Sequence, residues 1–321
     1  MTLLDNEKPF VIDNDSGGFV LGTLAGSGIA ALFGVGGFFL LRDKTEAMGA
    51  VLFLLLPFAT GFATALFTRG WRIVVASLIV GGLICTAVLL LSKFEGWVCV
   101  LMSMPLIAVG MTIGALLGVL ARRKAIDGAV KGTTFRLFIL MAIPIFLMGA
   151  DYSEKPSRRT PRFETITHQV ILDASPEAVW HELKGFNKIT GDKTFLMKIG
   201  LPVPVRCVME GEGVGAKRTC YFEQGFIEER VTEWQPPNIM KFDITASDVP
   251  GRPWLSFKDA GYEIRFANGK TVVTRSTTIV SRLSPAWYWR PMEAIGVEQE
   301  HEYLFKELKR RVTDCCPRKP E

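Results

Sequence analysis

Five runs of apolar residues crowd the first 150 positions of this 321-residue chain, and they constrain its fold more than anything that follows. Crossing the hydrocarbon of a bilayer as a helix takes about 20 apolar residues. The runs are Gly18–Leu41, Ala47–Phe67, Ile73–Leu91, Trp97–Ala121 and roughly Thr134–Ala150, and none of the first four has a charged residue or a histidine in its interior. The fifth is the weakest: its uncharged core is only Leu137–Ala150, so it crosses only if Arg136 reaches back to the headgroups. The first run is too long for a cleavable signal peptide, lacks a basic start and is followed by further spans. An all-α transmembrane bundle of about five helices over residues 18–150 is therefore expected, after a polar tail over 1–17.

The loops between these runs are short, so their lysines and arginines bear on orientation. The fourth loop, "RRKAIDGAVKGTTFR", gathers Arg122, Arg123, Lys124, Lys131 and Arg136, which argues for the cytoplasmic side. Five spans then put the N-terminus inside and everything after Ala150 outside; the totals, eight basic residues inside against seven outside, barely separate the two orientations. Without the fifth span, the C-terminal half is cytoplasmic. Gly18, Gly22, Gly26, Ala30 and Gly34 recur at every fourth position, as do Gly110, Gly114 and Gly118. Such stripes let helix backbones approach closely, either within one bundle or between copies in a homo-oligomer. No charge lies inside the spans to mark an ion path.

The chain then changes character. "DYSEKPSRRTPR", Asp151–Arg162, reads as a flexible polar linker. From residue 163 to about 313 the pattern is that of a water-soluble α+β domain, followed by a short tail over 314–321. Ile166, His168, Val170 and Leu172 alternate with Thr165, Thr167, Gln169 and Ile171 as a strand. Ser175, Pro176 and Glu177 then open a helix with Val179, Trp180 and Leu183 on one face. A hairpin turning near Gly213 sets Val205 opposite Phe222, Cys207 opposite Cys220 and Met209 opposite Arg218. Two more strands follow, then a second hairpin at Asn268-Gly269 with Tyr262, Ile264, Phe266, Val273 and Arg275 on one face. A long helix after Ser284-Pro285 closes the domain, with Val297, His301, Leu304 or Phe305, Leu308 and Val312 inward.

Strand, helix, five or six antiparallel strands and a long terminal helix: in this order the segments "VILDASPEAVWHEL", "GEGVGAKRTCYF", "VTEWQPPNIMKF", "NGKTVVTRSTT" and "SPAWYWRPM" resemble the START/polyketide-cyclase superfamily, also called SRPBCC. The resemblance covers about half of the chain and omits the spans; the whole resembles bacterial membrane-anchored proteins that carry such a domain. It implies a helix-grip fold, in which a curved antiparallel sheet wraps the C-terminal helix around an apolar cavity. It also implies a hydrophobic small molecule or lipid as partner, bound or handed over at a bacterial inner membrane. An enzyme of cyclase or dehydratase type is the first alternative, and an interaction module with a filled cavity is the second.

Phe195, Phe222, Phe226, Trp234, Phe242, Trp254, Tyr262, Phe266 and Phe305 are candidates to line such a cavity, or simply to fill a core. Polar residues on inward faces are sharper pointers. Arg275 could hold an anionic head or pair with a glutamate; His301 could serve as acid/base or ligand donor, or be a satisfied core histidine. Arg218 is placed at the sheet edge, and His168 and His181 at the surface or in packing. Glu210, Glu212, Glu228 and Glu229 read as solvated. No nucleophile–base set, phosphate loop or Cys/His ligand spacing occurs, so neither a reaction nor a metal or cofactor is assigned, and the mildly basic balance of 37 Lys and Arg against 32 Asp and Glu fits membrane topology rather than nucleic-acid binding. Cys207 and Cys220 either form a cross-strand disulfide outside the cytoplasm or remain two buried thiols. The adjacent Cys315 and Cys316 are assigned no role.

Overall fold

A computed structural model describes residues 16–41, 48–68, 70–91, 97–127, 132–249 and 255–315. The chain divides into two compact units, Met1–Thr160 and Pro161–Glu321.

The first unit is helical. Helix α1 (Ser16–Ala31) passes through a π-helical turn (Leu32–Gly36) into α2 (Gly37–Leu41), and a second π-helical turn (Val51–Leu55) leads into α3 (Leu56–Phe67). Helices α4 (Trp71–Leu91), α5 (Trp97–Asp127) and α6 (Gly132–Arg159) complete it. Among the described residues, three stretches are long and apolar enough to cross a membrane: Phe19–Leu41, Trp71–Leu91 and Trp97–Arg123. This corrects the expectation of about five. The second run forms a shorter apolar helix, Val51–Phe67. The fifth lies in α6, whose apolar part is followed in the same helix by Asp151, Glu154 and Lys155; these residues, read from sequence as a flexible linker, continue the helix to Arg159.

Missing side chains set how the helices pack. A Cβ on Gly114 would strike the backbone of Phe58, and one on Gly118 would meet Phe62 and Ala65. Gly26 approaches Ser77 and Thr68, and Gly34 approaches Cys85. These glycines thus let α5 lie against α3 and α1 against α4, within the bundle. Two polar contacts fix the ends of the continuous helical stretch formed by the second π-helical turn and α3. At its last turn the Arg122 guanidinium donates to the carbonyls of Ala65 and Thr68. At the other end the Glu154 carboxylate accepts from the N–H groups of Ala50 and Val51, at 2.6 and 3.1 Å. Both satisfy helix-terminal groups that have no partner within the helix.

Among the described residues, the second unit is a seven-stranded antiparallel sheet with three helices. Strand β1 (Arg162–Leu172) leads to α7 (Pro176–Lys184) and α8 (Phe195–Lys198). Then come β2 (Pro204–Glu210), β3 (Lys217–Phe222), β4 (Phe226–Gln235), β5 (Ile239–Ser247), β6 (Leu255–Ala267) and β7 (Lys270–Ser281), and finally α9 (Ala286–Cys315). The sheet order is β1-β7-β6-β5-β4-β3-β2, so the first strand closes against the last and β2 is an edge. Ser175 caps α7 by accepting from the Ala178 N–H. Asn268 and Gly269 both take positive φ, as the tight β6–β7 turn requires.

The core lies between the concave face of the sheet, α7 and the inner stripe of α9, with Val179, Leu183, Phe186, Met240, Phe242, Ile264, Val273 and Leu308 fully enclosed. Helix α9 packs most closely on β1, α7 and α8.

Candidate functional site

The register brings a charged cluster onto the inner face of the sheet. Arg275 on β7 stands opposite Tyr262 on β6, and Arg218 on β3 stands opposite Glu229 on β4. Arg218 is 1% exposed and donates through Nη1 to the Glu229 carboxylate at 2.6 Å. Its guanidinium lies 4.9 Å from the Phe242 ring centre and 6.0 Å from that of Tyr262. Arg275 donates to the Tyr262 hydroxyl and, through Nη2, to both oxygens of Glu300 on α9 at 3.1 and 3.2 Å.

Burial opposes the charge on both arginines, but the facing carboxylates outweigh it: Glu229 for Arg218 and Glu300 for Arg275, so both stay cationic. The same burial raises the Glu300 carboxyl above its ordinary range, against the pull of Arg275. Glu307, lower on α9, behaves oppositely. Burial would raise it, yet hydrogen bonds from Arg310, Arg311 and the Thr190 N–H bring it below its usual value.

His301 is fully enclosed. Its Nε2 shares a hydrogen bond of 2.8 Å with the Thr277 hydroxyl, and its Nδ1 has no partner among the described residues. Burial, with Arg275 and His168 nearby, lowers its pKa from 6.5 to about 2, so the ring is neutral at physiological pH. His168 on β1 meets Phe305 edge-on at 5.4 Å and stacks with His301 at 6.4 Å.

The residues expected to line a cavity fall in different settings. Phe242, Tyr262 and Phe305 are buried on the inner side, and Phe222 and Trp234 are half-buried against the core, Trp234 meeting Trp180 at 4.9 Å. Phe226 does not belong to this face: it pairs with Tyr221 and shares the outer face with it, because Ile227, Glu229 and Val231 take the inward positions. Phe266 has the right parity but sits at the hairpin end, 61% exposed, and Phe195 is 66% exposed on α8. Trp254 and Cys316 lie outside the described residues. An irregularity between Pro204 and Arg206 puts Pro204, rather than Val205, opposite Phe222.

Two participants were misread. Arg218, expected at the sheet edge, is one strand in from it, and Glu229, read as solvated, is its buried partner. The available signal was register: Arg218 shares inward parity with Cys220, and Glu229 shares it with Ile227 and Val231. Cys207 and Cys220 face each other across β2 and β3 and are joined by a disulfide.

No protein-family model matches the chain, and no curated protein matches it. Solved structures similar to it include a START superfamily protein from Mycobacterium smegmatis, 14% identical, covering 47% of this chain and 98% of that one with a TM-score of 0.34. An aromatase/cyclase from Streptomyces is 13% identical, with coverage of 49% and 97% and a TM-score of 0.35. A norcoclaurine synthase mutant from Thalictrum is 12% identical, with coverage of 49% and 98% and a TM-score of 0.34.

Proposed function

We propose that this protein is a membrane-held binding module whose second unit takes up a hydrophobic small molecule or lipid between α9 and the sheet. The observation that carries the reading is the partial exposure of two aromatics on the inner face: Phe222 and Trp234 pack against the core yet stay only half-buried. An apolar lining with a few fixed polar groups behind it suits such a guest, and holding the domain at a bilayer raises its concentration near ligands dissolved there. The enzyme reading is less well supported. His301 is neutral and tied to Thr277, and Arg275 is tied to Glu300 and Tyr262, so neither stands ready as an acid/base or free anion holder.

The same proposal includes sidedness. Arg122 at the end of α5 binds one end of α3, whereas Glu154 near the end of α6 binds the other. An α6 that runs back along α3 supports a further crossing, with Pro161 across the membrane from the basic fourth loop. The Cys207–Cys220 disulfide favours that extracytoplasmic side, since such bonds persist in oxidising compartments.

Native mass spectrometry of the full chain released from nanodiscs tests the binding reading. One apolar molecule retained per chain is the expected result. A chain that emerges empty and takes up neither octanol nor octanoate overturns it, and favours an interaction module with a filled interior.

A further inference from the structure

One guanidinium in the second unit is only half used. Arg218 is buried, yet among the described residues its hydrogen bonding is confined to Nη1 on Glu229, while Nε and Nη2 have no acceptor. These two nitrogens belong to one edge of the guanidinium, and their N–H bonds run side by side. That is the fork which fits the two oxygens of a carboxylate. Protein interiors rarely leave one buried donor unsatisfied, and charged donors are the most costly to leave so. Here two are left on the same edge.

The neighbours cannot supply the missing acceptor. Glu229 is engaged with Arg218 and Glu300 with Arg275. Arg275 itself has an unpartnered Nε. The Tyr262 hydroxyl accepts from Arg275 and keeps its own proton to donate. Around the Tyr262 ring, near both guanidiniums, donors outnumber acceptors.

We propose that the guest is an amphipathic carboxylate: its two head oxygens take the Nε/Nη2 edge of Arg218, and its apolar tail runs along the inner face of β3 toward Phe222 and Trp234. The inference deepens the binding reading above and rests on it. A singly charged head suits the site better than a doubly charged one, because Glu229 and Glu300 already place two carboxylates nearby. Both nitrogens are closed off from solvent in this structure, so the head arrives by displacing side chains from the half-buried flank.

Equilibrium dialysis of octanoate, octanol and acetate tests the proposal, using the full chain in phosphatidylcholine nanodiscs with the signal of empty nanodiscs subtracted. Octanoate is expected to bind one to one, with octanol at least about tenfold weaker, the scale of one charge-assisted bond, and acetate weaker still. Arg218→Lys keeps the charge but loses the fork, and is expected to weaken octanoate by the same factor while leaving octanol unchanged. The double variant Arg218→Met/Glu229→Gln leaves no unpaired buried charge, so it keeps the test open if Arg218→Lys fails to fold; the same loss is expected of it. Octanoate bound equally by these variants, or no better than octanol, overturns the carboxylate head while the binding reading stands. Acetate bound as tightly as octanoate overturns the amphipathic guest. Neither octanoate nor octanol bound removes the binding reading itself, and this inference with it.

Discussion

His301 packs at the centre of the second unit as a neutral ring, and that has a measurable consequence. The groups around it are Arg275 and Thr277 on β7, His168 on β1 and Glu300 beside it on α9. Its folded pKa of about 2 lies below the 6.5 it has when exposed, so the unfolded chain binds its proton more readily. The stability this group contributes is complete above pH 6.5 and is lost as pH falls toward the folded value, at up to about 1.4 kcal/mol per pH unit. Glu300, raised by burial, contributes the opposite slope below its own folded value. Denaturant unfolding of wild type and His301→Gln between pH 7.5 and 5 isolates the histidine: wild type is expected to lose the larger amount, by about 1–2 kcal/mol. Parallel losses would show that His301 is not desolvated. At Arg218 the prediction concerns pairing. Removing one member of a buried ion pair costs about 3–5 kcal/mol, whereas replacing both with uncharged groups costs far less. Arg218→Met is therefore expected to be markedly less stable than Arg218→Met/Glu229→Gln in thermal unfolding. Equal melting points would mean that the pair carries no buried charge.

Elements were legible where their pattern was local. The period-two run Ile166–Leu172, the Ser175 cap, the Asn268-Gly269 turn and the Val297–Val312 stripe each appear in the structure where the residues place them, because propensity, capping and burial act within a few positions. What sequence could not supply was where an element stops relative to its cover. Phe266 continues the inward parity of Tyr262 and Ile264, but the strand outruns the material above it; Phe226 falls on the outer face because β4 enters the sheet one residue out of phase with it. Arg218 and Glu229 could be interpreted only jointly: alone each looks like a surface charge, and their opposition depends on the β3–β4 register. In the first unit the glycine stripes were legible, but their partners were not. A Cβ at Gly114 would meet the carbonyl and Cα of Phe58, which are backbone and cannot turn aside. Gly114→Ala is accordingly expected to push α5 from α3 and to cost about 1–3 kcal/mol, read as an earlier unfolding transition in detergent. Gly28→Ala, on α1 with open space around its Cβ position, should leave that transition in place.

The whole chain poses one question that its parts answer differently. Three long apolar helices and a basic fourth loop would leave the second unit on the cytoplasmic side, if α6 does not cross. A disulfide between Cys207 and Cys220 belongs on the other side. The two agree only if α6 crosses. Its uncharged stretch from Leu137 to Ala150 is short for a hydrocarbon core of about 30 Å, since a helix rises about 1.5 Å per residue. It can cross in company: Glu154 binds the N–H groups of Ala50 and Val51, and Leu147 is buried against Val51, Leu56 and Ala59 rather than left to lipid. Arg136 at its start and Asp151 near its end then lie where the headgroups are. The redox state of the cysteine pair in living cells decides between these accounts. Cells are quenched in acid, free thiols are blocked, and the chain is then reduced and labelled with a mass-tagged maleimide. Two tags at Cys207 and Cys220, absent from a Cys207→Ser/Cys220→Ser variant, are the expected result and put the second unit in an oxidising compartment, with α6 as a crossing helix. Both thiols blocked before reduction would place that unit in the cytoplasm and make α6 a helix that returns without crossing. The same variant should then lose little stability, whereas an oxidised pair closing a loop with a sequence separation of 13 is worth about 3 kcal/mol to the folded domain.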